Sequence, residues 1–228
     1  MLHNPQTSQF LQYLATTDLS IQDERLPALN ELSKELGVGI SVLREQLEVA
    51  RALGLVEVRP RTGIRRLAYS FFPAVQKSLS YAIKRSQTNF DAFADLRQHL
   101  EACYWEEAVI ALLPEDLIEL KNLIQSAWKK IDGSPVQIPH AEHRQLHLLI
   151  YKRLPNLYVQ GILDAYWDAY EAIGLNFYTD LDYLREVWQY HQEMVESICS
   201  GNLTKGHKAL LEHNNLLYHR SDLVVGKE

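Results

Sequence analysis

The sequence predicts a mainly α-helical protein made of a small head, which includes a β-hairpin, and a larger all-helical body. Apolar residues recur at helical spacing over most of the chain. Two short segments rich in β-forming residues, LVEV at 55–58 and GIRRL at 63–67, flank the turn PRTG at 60–63, and no further strand signal follows them. We therefore expect the chain to divide into the head at 1–70, a linker with Pro73 at 71–78, and the body at 79–222.

The head has the element order of a winged helix-turn-helix. A helix is expected at 7–16, and a second helix begins after Pro27 and ends at Gly37. Ser41 is a plausible N-cap for a third helix that runs to about Leu53. Helix, tight turn, helix and two-stranded hairpin together form the winged helix-turn-helix motif.

The body is expected to consist of helices separated by helix breakers. Pro114, the segment DGSPVQIP at 132–139 and the segment SGN at 200–202 interrupt the helical period. The expected helices span 74–86, 90–112, 115–131, 140–153, 156–176, 180–200 and 203–220.

Composition and charge favour a soluble cytoplasmic protein with two roles in one chain. The chain has 228 residues, no apolar stretch long enough for a membrane span, no signal-peptide pattern, and only Cys103 and Cys199, too few for a disulfide framework. The net charge of −6 lies in the body, because residues 1–70 hold eight basic and eight acidic side chains whereas residues 71–228 hold 15 and 21. A neutral head on an acidic body argues against a protein that coats nucleic acid over its whole surface.

The head is predicted to bind double-stranded DNA. The second helix of a helix-turn-helix enters the major groove with its N-terminal residues against the base edges, and the arginines of the hairpin would lie along the phosphates. The alternative is a small subdomain that binds protein and carries its arginines on a solvated turn. The candidate DNA contacts are Ser41, Arg44, Arg59, Arg61, Arg65 and Arg66.

Four histidines of the body fall on helix faces that are otherwise apolar. His143 and His147 lie one turn apart, an arrangement in which two imidazoles can chelate one metal ion. His191 and His213 each interrupt the apolar face of a later helix. Each could instead be a core histidine with its own hydrogen-bond partner, since an unpaired buried polar group costs about 1–3 kcal/mol. A shared divalent transition metal, with Zn or Ni as the first candidates, would satisfy all four at once.

A second set of candidates concerns an anionic effector. Arg97 and Tyr104 share the inward stripe of their helix with Phe93 and Leu100, and they are the candidate contacts for a small carboxylate. The alternative for Arg97 is an ion pair within its helix with Glu101, four residues on.

The segment LPALNELSKELGVGISVLREQLEVARALGLVEVRPRTG at 26–63 resembles the DNA-binding head of GntR-type transcriptional regulators. The body resembles the FCD effector domain of the FadR-like subfamily, in which an aspartate and three histidines hold a metal. The positions that match these histidines are His147, His191 and His213, and His143 stands where the family has the aspartate. The resemblance implies a homodimer that binds an operator and responds to a carboxylate effector.

Three departures from the family pattern change the expectations. The recognition helix begins with Gly39-Ile40 in place of Ser-Arg, and Asn30 stands where a second arginine is common, so sequence choice on DNA should be weakened or redirected. His143 offsets none of the charge of a metal, so the site should stay more positive and attract an anion more strongly.

The function that the sequence favours is a metal-dependent, ligand-responsive transcriptional regulator, not an enzyme. One alternative is a degenerate regulator with a purely structural metal and weak sequence specificity. A metal-dependent hydrolase is disfavoured because Glu142, the carboxylate nearest the histidines in sequence, is expected to point outward and no HExxH motif is present.

Overall fold

The computed structural model describes residues 8–16, 25–173 and 180–224, with side chains up to residue 216. Within these ranges the chain folds into helices and one two-stranded sheet, which confirms the predicted mainly α-helical class. Its contacts divide it into two compact units between Lys77 and Ser78. None of the helices in the described ranges is long and apolar enough to cross a lipid bilayer.

The elements follow the predicted order. The helices are α1 Gln9–Thr16, α2 Leu29–Leu36, α3 Ile40–Ala52, α4 Phe72–Arg85, α5 Thr88–Ile110, α6 Pro114–Ile131, α7 His140–Tyr151, α8 Leu157–Ala172, α9 Leu181–Ser200 and α10 Leu203–Val224, and the strands are β1 Val56–Arg59 and β2 Gly63–Arg66.

The head is a three-helix unit with an antiparallel hairpin. Its helices bury one apolar stripe each, and β1 pairs with β2 from Val56 opposite Arg66 to Arg59 opposite Gly63. The expected cap of α3 is wrong: the helix begins at Ile40 with Gly39 as the N-cap, and Ser41 lies inside the first turn. A glycine N-cap costs only a few tenths of a kcal/mol relative to a hydroxyl cap, so no side-chain cap is required there.

The expected linker is mostly helical, because α4 begins at Phe72. Pro73 occupies the first turn of this helix, where its missing N–H removes no intrahelical hydrogen bond. Its ring packs against Gly54, the residue that ends the turn after α3: a Cβ added to Gly54 would lie 2.5 Å from Cγ of Pro73. With φ at +72°, position 54 needs glycine both for its backbone and for this close approach.

The body is a bundle of helices around a continuous apolar core. Trp105 of α5, Leu146 of α7 and Trp188 of α9 are among the fully buried side chains of this core. The indole Nε1 of Trp105 donates to the carbonyl of Leu203 at 3.0 Å and so joins α5 to the start of α10. Gly201, at φ +73°, closes α9 in the left-handed conformation and reverses the chain into α10.

A buried carboxylate joins α6 to the end of α7. Asp116, in the first turn of α6, accepts the backbone N–H of Leu113 at 2.9 Å and the Nε–H of Arg153 at 2.8 Å. Lys152 approaches it at 3.2 Å. The hydrogen bond from Arg153 is the main cause that holds the pKa of Asp116 far below its ordinary value, so the carboxylate is ionised at neutral pH.

Candidate metal centre

Three helices of the body direct four imidazoles into one buried region. His143 and His147 come from α7, His191 from α9 and His213 from α10, and each side chain is 4% exposed or less. The apolar face of each helix places its histidine inward, because neighbouring residues on that face, such as Trp188 on α9 and Leu210 on α10, are themselves buried in the core.

The four imidazoles lie close enough to share one ion. One ligand nitrogen from each of the four lies within 4.8 Å of the others. The Nε2 atoms of His147 and His191 are 3.1 Å apart, and the ring centroids of His191 and His213 are 4.3 Å apart. Two nitrogens bound to one zinc ion at about 2.0–2.1 Å would be about 2.9–3.4 Å apart, so the observed spacing fits a metal without rearrangement of this pair.

Several nitrogens of the cluster have no hydrogen-bond partner among the described residues. They are Nε2 of His143, Nδ1 of His191, and both ring nitrogens of His213. Leaving such groups unpaired in the interior costs about 1–3 kcal/mol each. The donor set therefore fits a bound cation better than four independent core histidines, the alternative that the sequence left open.

The electrostatics of the cluster favour neutral imidazoles. Burial lowers the pKa of His143, His191 and His213 well below the ordinary value, and the neighbouring histidines and Arg97 lower it further. Burial also lowers the pKa of His147, although Glu101 acts in the opposite direction. A neutral imidazole is the form that ligates a metal, so the ligands need lose no proton at neutral pH.

Arg97 and Glu101 of α5 form a buried ion pair beside the histidines. Nη2 of Arg97 lies 2.8 Å from Oε2 of Glu101 and 2.8 Å from Nδ1 of His147. The guanidinium also lies over the ring of Tyr166, 4.9 Å from its centroid, and Nη1 is 3.5 Å from Oδ1 of Asn214. The pair that the sequence offered as the alternative role of Arg97 is thus present, and it places the guanidinium against the cluster.

Tyr104 and Glu142 are held by other contacts. The hydroxyl of Tyr104 accepts the side-chain N–H of Asn156, which caps α8, at 3.2 Å. The expectation that Glu142 points outward is wrong, because the residue is buried. Lys130 contacts both of its carboxylate oxygens, at 2.7 and 2.8 Å, and Ser126 donates to one of them at 2.8 Å. Its carboxylate is thus engaged in a structural ion pair, which further disfavours a role as a general base.

Comparison with known proteins identifies the chain. The model of the FCD domain family matches residues 92–216, more than half of the chain. The chain belongs to the GntR family of transcriptional regulators that carry an FCD domain.

One relative in sequence and one solved structure are similar to this chain. The chain is 25% identical over 195 residues to the Uxu operon transcriptional regulator of Escherichia coli (strain K12), an alignment that covers 83% of this chain and 75% of that protein. The solved structure of Streptococcus agalactiae GntR has the same fold, with a TM-score of 0.70 at 19% identity over 94% of this chain and 98% of that one.

In this GntR regulator the head presents only part of the expected DNA-binding set to solvent. Ser41 and Arg44 are exposed on the first turns of α3, and Arg59 and Arg61 are exposed at the hairpin. Arg59 forms an ion pair at 2.9 Å with Glu57 of the same strand. Arg65 is half-buried.

The phosphate contact expected of Arg66 stays a prediction, and its side chain is only 7% exposed. Successive residues of a strand alternate between faces, so Arg66 shares the inner face with Ile64. The alternation in GIRRL could have revealed this, since the two arginines cannot both share the outer face.

Sequence reasoning missed two features of the head and body. Ile40 and Val42, in the first turn of α3, are 39% and 48% exposed, although both are β-branched apolar residues. The signal was their position at the solvent flank of a helix whose buried stripe is Leu43 and Leu47. Asn214, next to His213, is buried beside Arg97, and no sequence pattern distinguishes it from a solvated polar residue.

Proposed function

We propose that this GntR regulator is a metal-dependent, ligand-responsive repressor or activator that binds operator DNA in the cytoplasm as a two-fold homodimer. The convergence of His143, His147, His191 and His213 in the FCD domain is the observation that carries the proposal. A divalent transition metal held there would bind a small carboxylate effector, and effector binding would change the affinity of the heads for DNA.

The donor set favours zinc or nickel. Imidazole nitrogen suits Zn, Ni, Cu and Fe, whereas Mg and Ca prefer oxygen ligands. The set has no carboxylate among its four ligands, because His143 occupies the position that is aspartate in the family pattern. The metal would supply a Lewis-acidic centre with room for an anion, and the four imidazoles would orient it.

An anionic effector would find further donors next to the histidines. Nε of Arg97 and Nδ2 of Asn214 are buried and have no hydrogen-bond partner among the described residues. The charges of Arg97 and Glu101 cancel, so a divalent ion would leave the region with a net charge of about +2, which favours a carboxylate. Tyr104, on the same helix as Arg97, is a further proposed donor to the effector. Its hydroxyl oxygen accepts a hydrogen bond from Asn156, which leaves its hydroxyl proton available to donate.

The head would read DNA with a mixed set of contacts. Arg44 and Ser41 would face the bases, and Arg59, Arg61 and Arg65 would contact phosphates, where each adds affinity without sequence information. The apolar first turn of α3 offers a different kind of base contact, because an aliphatic side chain can pack on the methyl group of thymine. We therefore expect Ile40 and Val42 to favour thymine at the base positions that they contact.

Elemental analysis and native mass spectrometry of untagged protein would test the metal. We expect about one transition metal per chain in the wild type and in His99→Ala, which alters an exposed histidine of α5. His191→Ala should lose the metal and leave the DNA-binding head folded, since its side chain lies in the body. Wild-type protein that takes up no zinc or nickel after dialysis against either metal would refute the metal centre.

A second candidate function is a regulator with little sequence preference, and Asn30 and the Gly39-Ile40 start of α3 favour it. Both candidates predict a steep salt dependence of DNA binding. They separate on selection from a random DNA pool at physiological salt. Enrichment of a near-palindromic sequence supports the operator-specific regulator, and binding of unselected DNA with equal affinity supports the second candidate.

A further inference from the structure

Glu101 is a buried carboxylate that contacts a candidate ligand without belonging to the four. Its side chain is fully buried on α5, and Oε1 lies 3.3 Å from Nδ1 of His147. Its other oxygen pairs with Arg97.

The two nitrogens of His147 share Arg97 as a neighbour but differ in their other partner. Nε2 lies 3.1 Å from Nε2 of His191 and 3.4 Å from Nη2 of Arg97. Nδ1 lies 3.3 Å from Oε1 of Glu101 and 2.8 Å from Nη2 of Arg97. A neutral imidazole carries one proton, so Nε2 can ligate a metal only if the proton is on Nδ1. That N–H then needs an acceptor. A guanidinium cannot accept a hydrogen bond. Among the described residues in contact with Nδ1, Glu101 is the one that can accept it.

We propose that Glu101 is a positioning residue of the metal centre: its carboxylate accepts a hydrogen bond from Nδ1–H of His147, which keeps the proton on Nδ1 and presents Nε2 of that imidazole to the ion. This inference rests on the metal site proposed above. Ligating histidines commonly donate their second N–H to a carboxylate, which orients the ring and raises its basicity as a ligand.

Arg97 competes for the same nitrogen. Its Nη2 lies 2.8 Å from Nδ1 of His147, a contact that is a hydrogen bond only in the opposite tautomer, with the proton on Nε2. Metal binding selects the tautomer that donates to Glu101, and so it frees one N–H of Arg97. The freed donor lies beside the histidines, where an anion bound to the metal could accept it. Metal binding would therefore make an N–H of Arg97 available to an anion, while the number of protons bound by His147 and Arg97 stays the same.

The affinity for zinc, measured by competition with a chelator, tests the role of Glu101. We expect Glu101→Gln to weaken zinc binding about 10–100-fold, the usual cost of losing such an outer partner. The matched control is Glu142→Gln, which removes a buried carboxylate of α7 that pairs with Lys130 and Ser126. It should bind zinc within about threefold of the wild type, because that carboxylate contacts none of the four ligands in the described structure.

A second variant covers the case in which Glu101→Gln does not fold, since it leaves Arg97 buried without a counter-charge. Arg97→Met with Glu101→Met replaces both charges by apolar side chains, a change that cores often tolerate. It should keep the fold and show the same loss of zinc affinity. In the zinc-loaded wild type, nitrogen NMR of His147 should report a protonated Nδ1.

The outcomes separate this inference from the proposed metal centre. Wild-type protein that binds no zinc would overturn both. Zinc binding that is equally tight in the wild type and the folded Glu101 variants would overturn only the role of Glu101. Equal weakening by Glu101→Gln and Glu142→Gln would overturn it as well, since the loss would then follow from removing any buried carboxylate. An unprotonated Nδ1 of His147 in the zinc-loaded protein would have the same consequence.

Discussion

Replacing His213 by leucine should stabilise the metal-free protein and destabilise the metal-loaded protein. His213 is fully buried on α10, and neither of its ring nitrogens has a hydrogen-bond partner among the described residues. Its neighbours on that face, Ala209 and Leu210, are buried, and its ring lies against the imidazoles of His191 and His147, so a leucine of similar volume would stay buried. The substitution removes the cost of the unpaired polar groups and adds apolar burial.

The expected change in unfolding free energy follows from the burial of His213 and from its unpaired ring nitrogens. Removing an unpaired buried polar group returns about 1–3 kcal/mol, so we expect metal-free His213→Leu to gain about 2 kcal/mol. For a chain of this size, that gain corresponds to a rise in Tm of about 4–8 °C. Zinc at about 1,000 times its Kd would stabilise the wild type by about 4 kcal/mol, whereas a variant without the fourth ligand would gain little. The order of stability should therefore reverse when zinc is added.

Calorimetric unfolding with chelator and with zinc would measure both orders. His99→Leu is the control, because His99 is an exposed residue of α5 and its substitution should change stability by less than about 0.5 kcal/mol in either condition. If chelator-treated His213→Leu unfolds at a lower temperature than the wild type, the nitrogens of His213 are satisfied in the metal-free protein. A shared cation would then not be needed to satisfy these nitrogens.

Three further predictions concern DNA binding and stability. The double variant Arg59→Gln with Arg61→Gln should bind DNA with a weaker dependence on salt and with the same preferred sequence. The slope of log affinity against log salt concentration should fall by about 1 for each phosphate contact that is lost, and an unchanged slope would show that neither arginine contacts DNA. On the best duplex selected from a random pool, replacing thymine by deoxyuracil should weaken DNA binding by the wild type but not by Ile40→Ala, which has already lost the contact with the methyl group. The control Val49→Ala alters another exposed apolar residue, nearer the C-terminal end of α3, and should behave as the wild type does; equal losses in all three proteins would contradict methyl recognition. Asp116→Asn should lower the unfolding free energy by about 1–3 kcal/mol at pH 7, because a carboxylate whose pKa is lowered in the folded state stabilises the fold above its unfolded pKa of about 3.9. In chemical denaturation, the difference in unfolding free energy between the wild type and the variant should shrink as the pH falls below about 4. A difference that does not depend on pH would refute the ion-pair explanation.

Local patterns were sufficient to predict the elements of this fold and the inward orientation of its four clustered histidines. The 3.6-residue period, Pro114 and Gly201 set the helix boundaries, because such signals act within a few residues of the backbone they control. A single polar residue on an apolar helix face must point into the core, and this reasoning identified His191 and His213. The same reasoning was incomplete where strand parity or capping decided the outcome, as at Arg66 and Ser41.

The sequence by itself determined which side chains enter the interior of the body, since hydrophobic periodicity is a property of each helix alone. Only the tertiary structure decided which of them meet. The carboxylate of Glu101 lies 3.3 Å from the imidazole of His147 although the two residues belong to different helices, and the burial of Glu142 depends on Lys130 of another helix. Contacts between helices depend on packing angles and on the register of whole elements, which a pattern read along one helix does not contain.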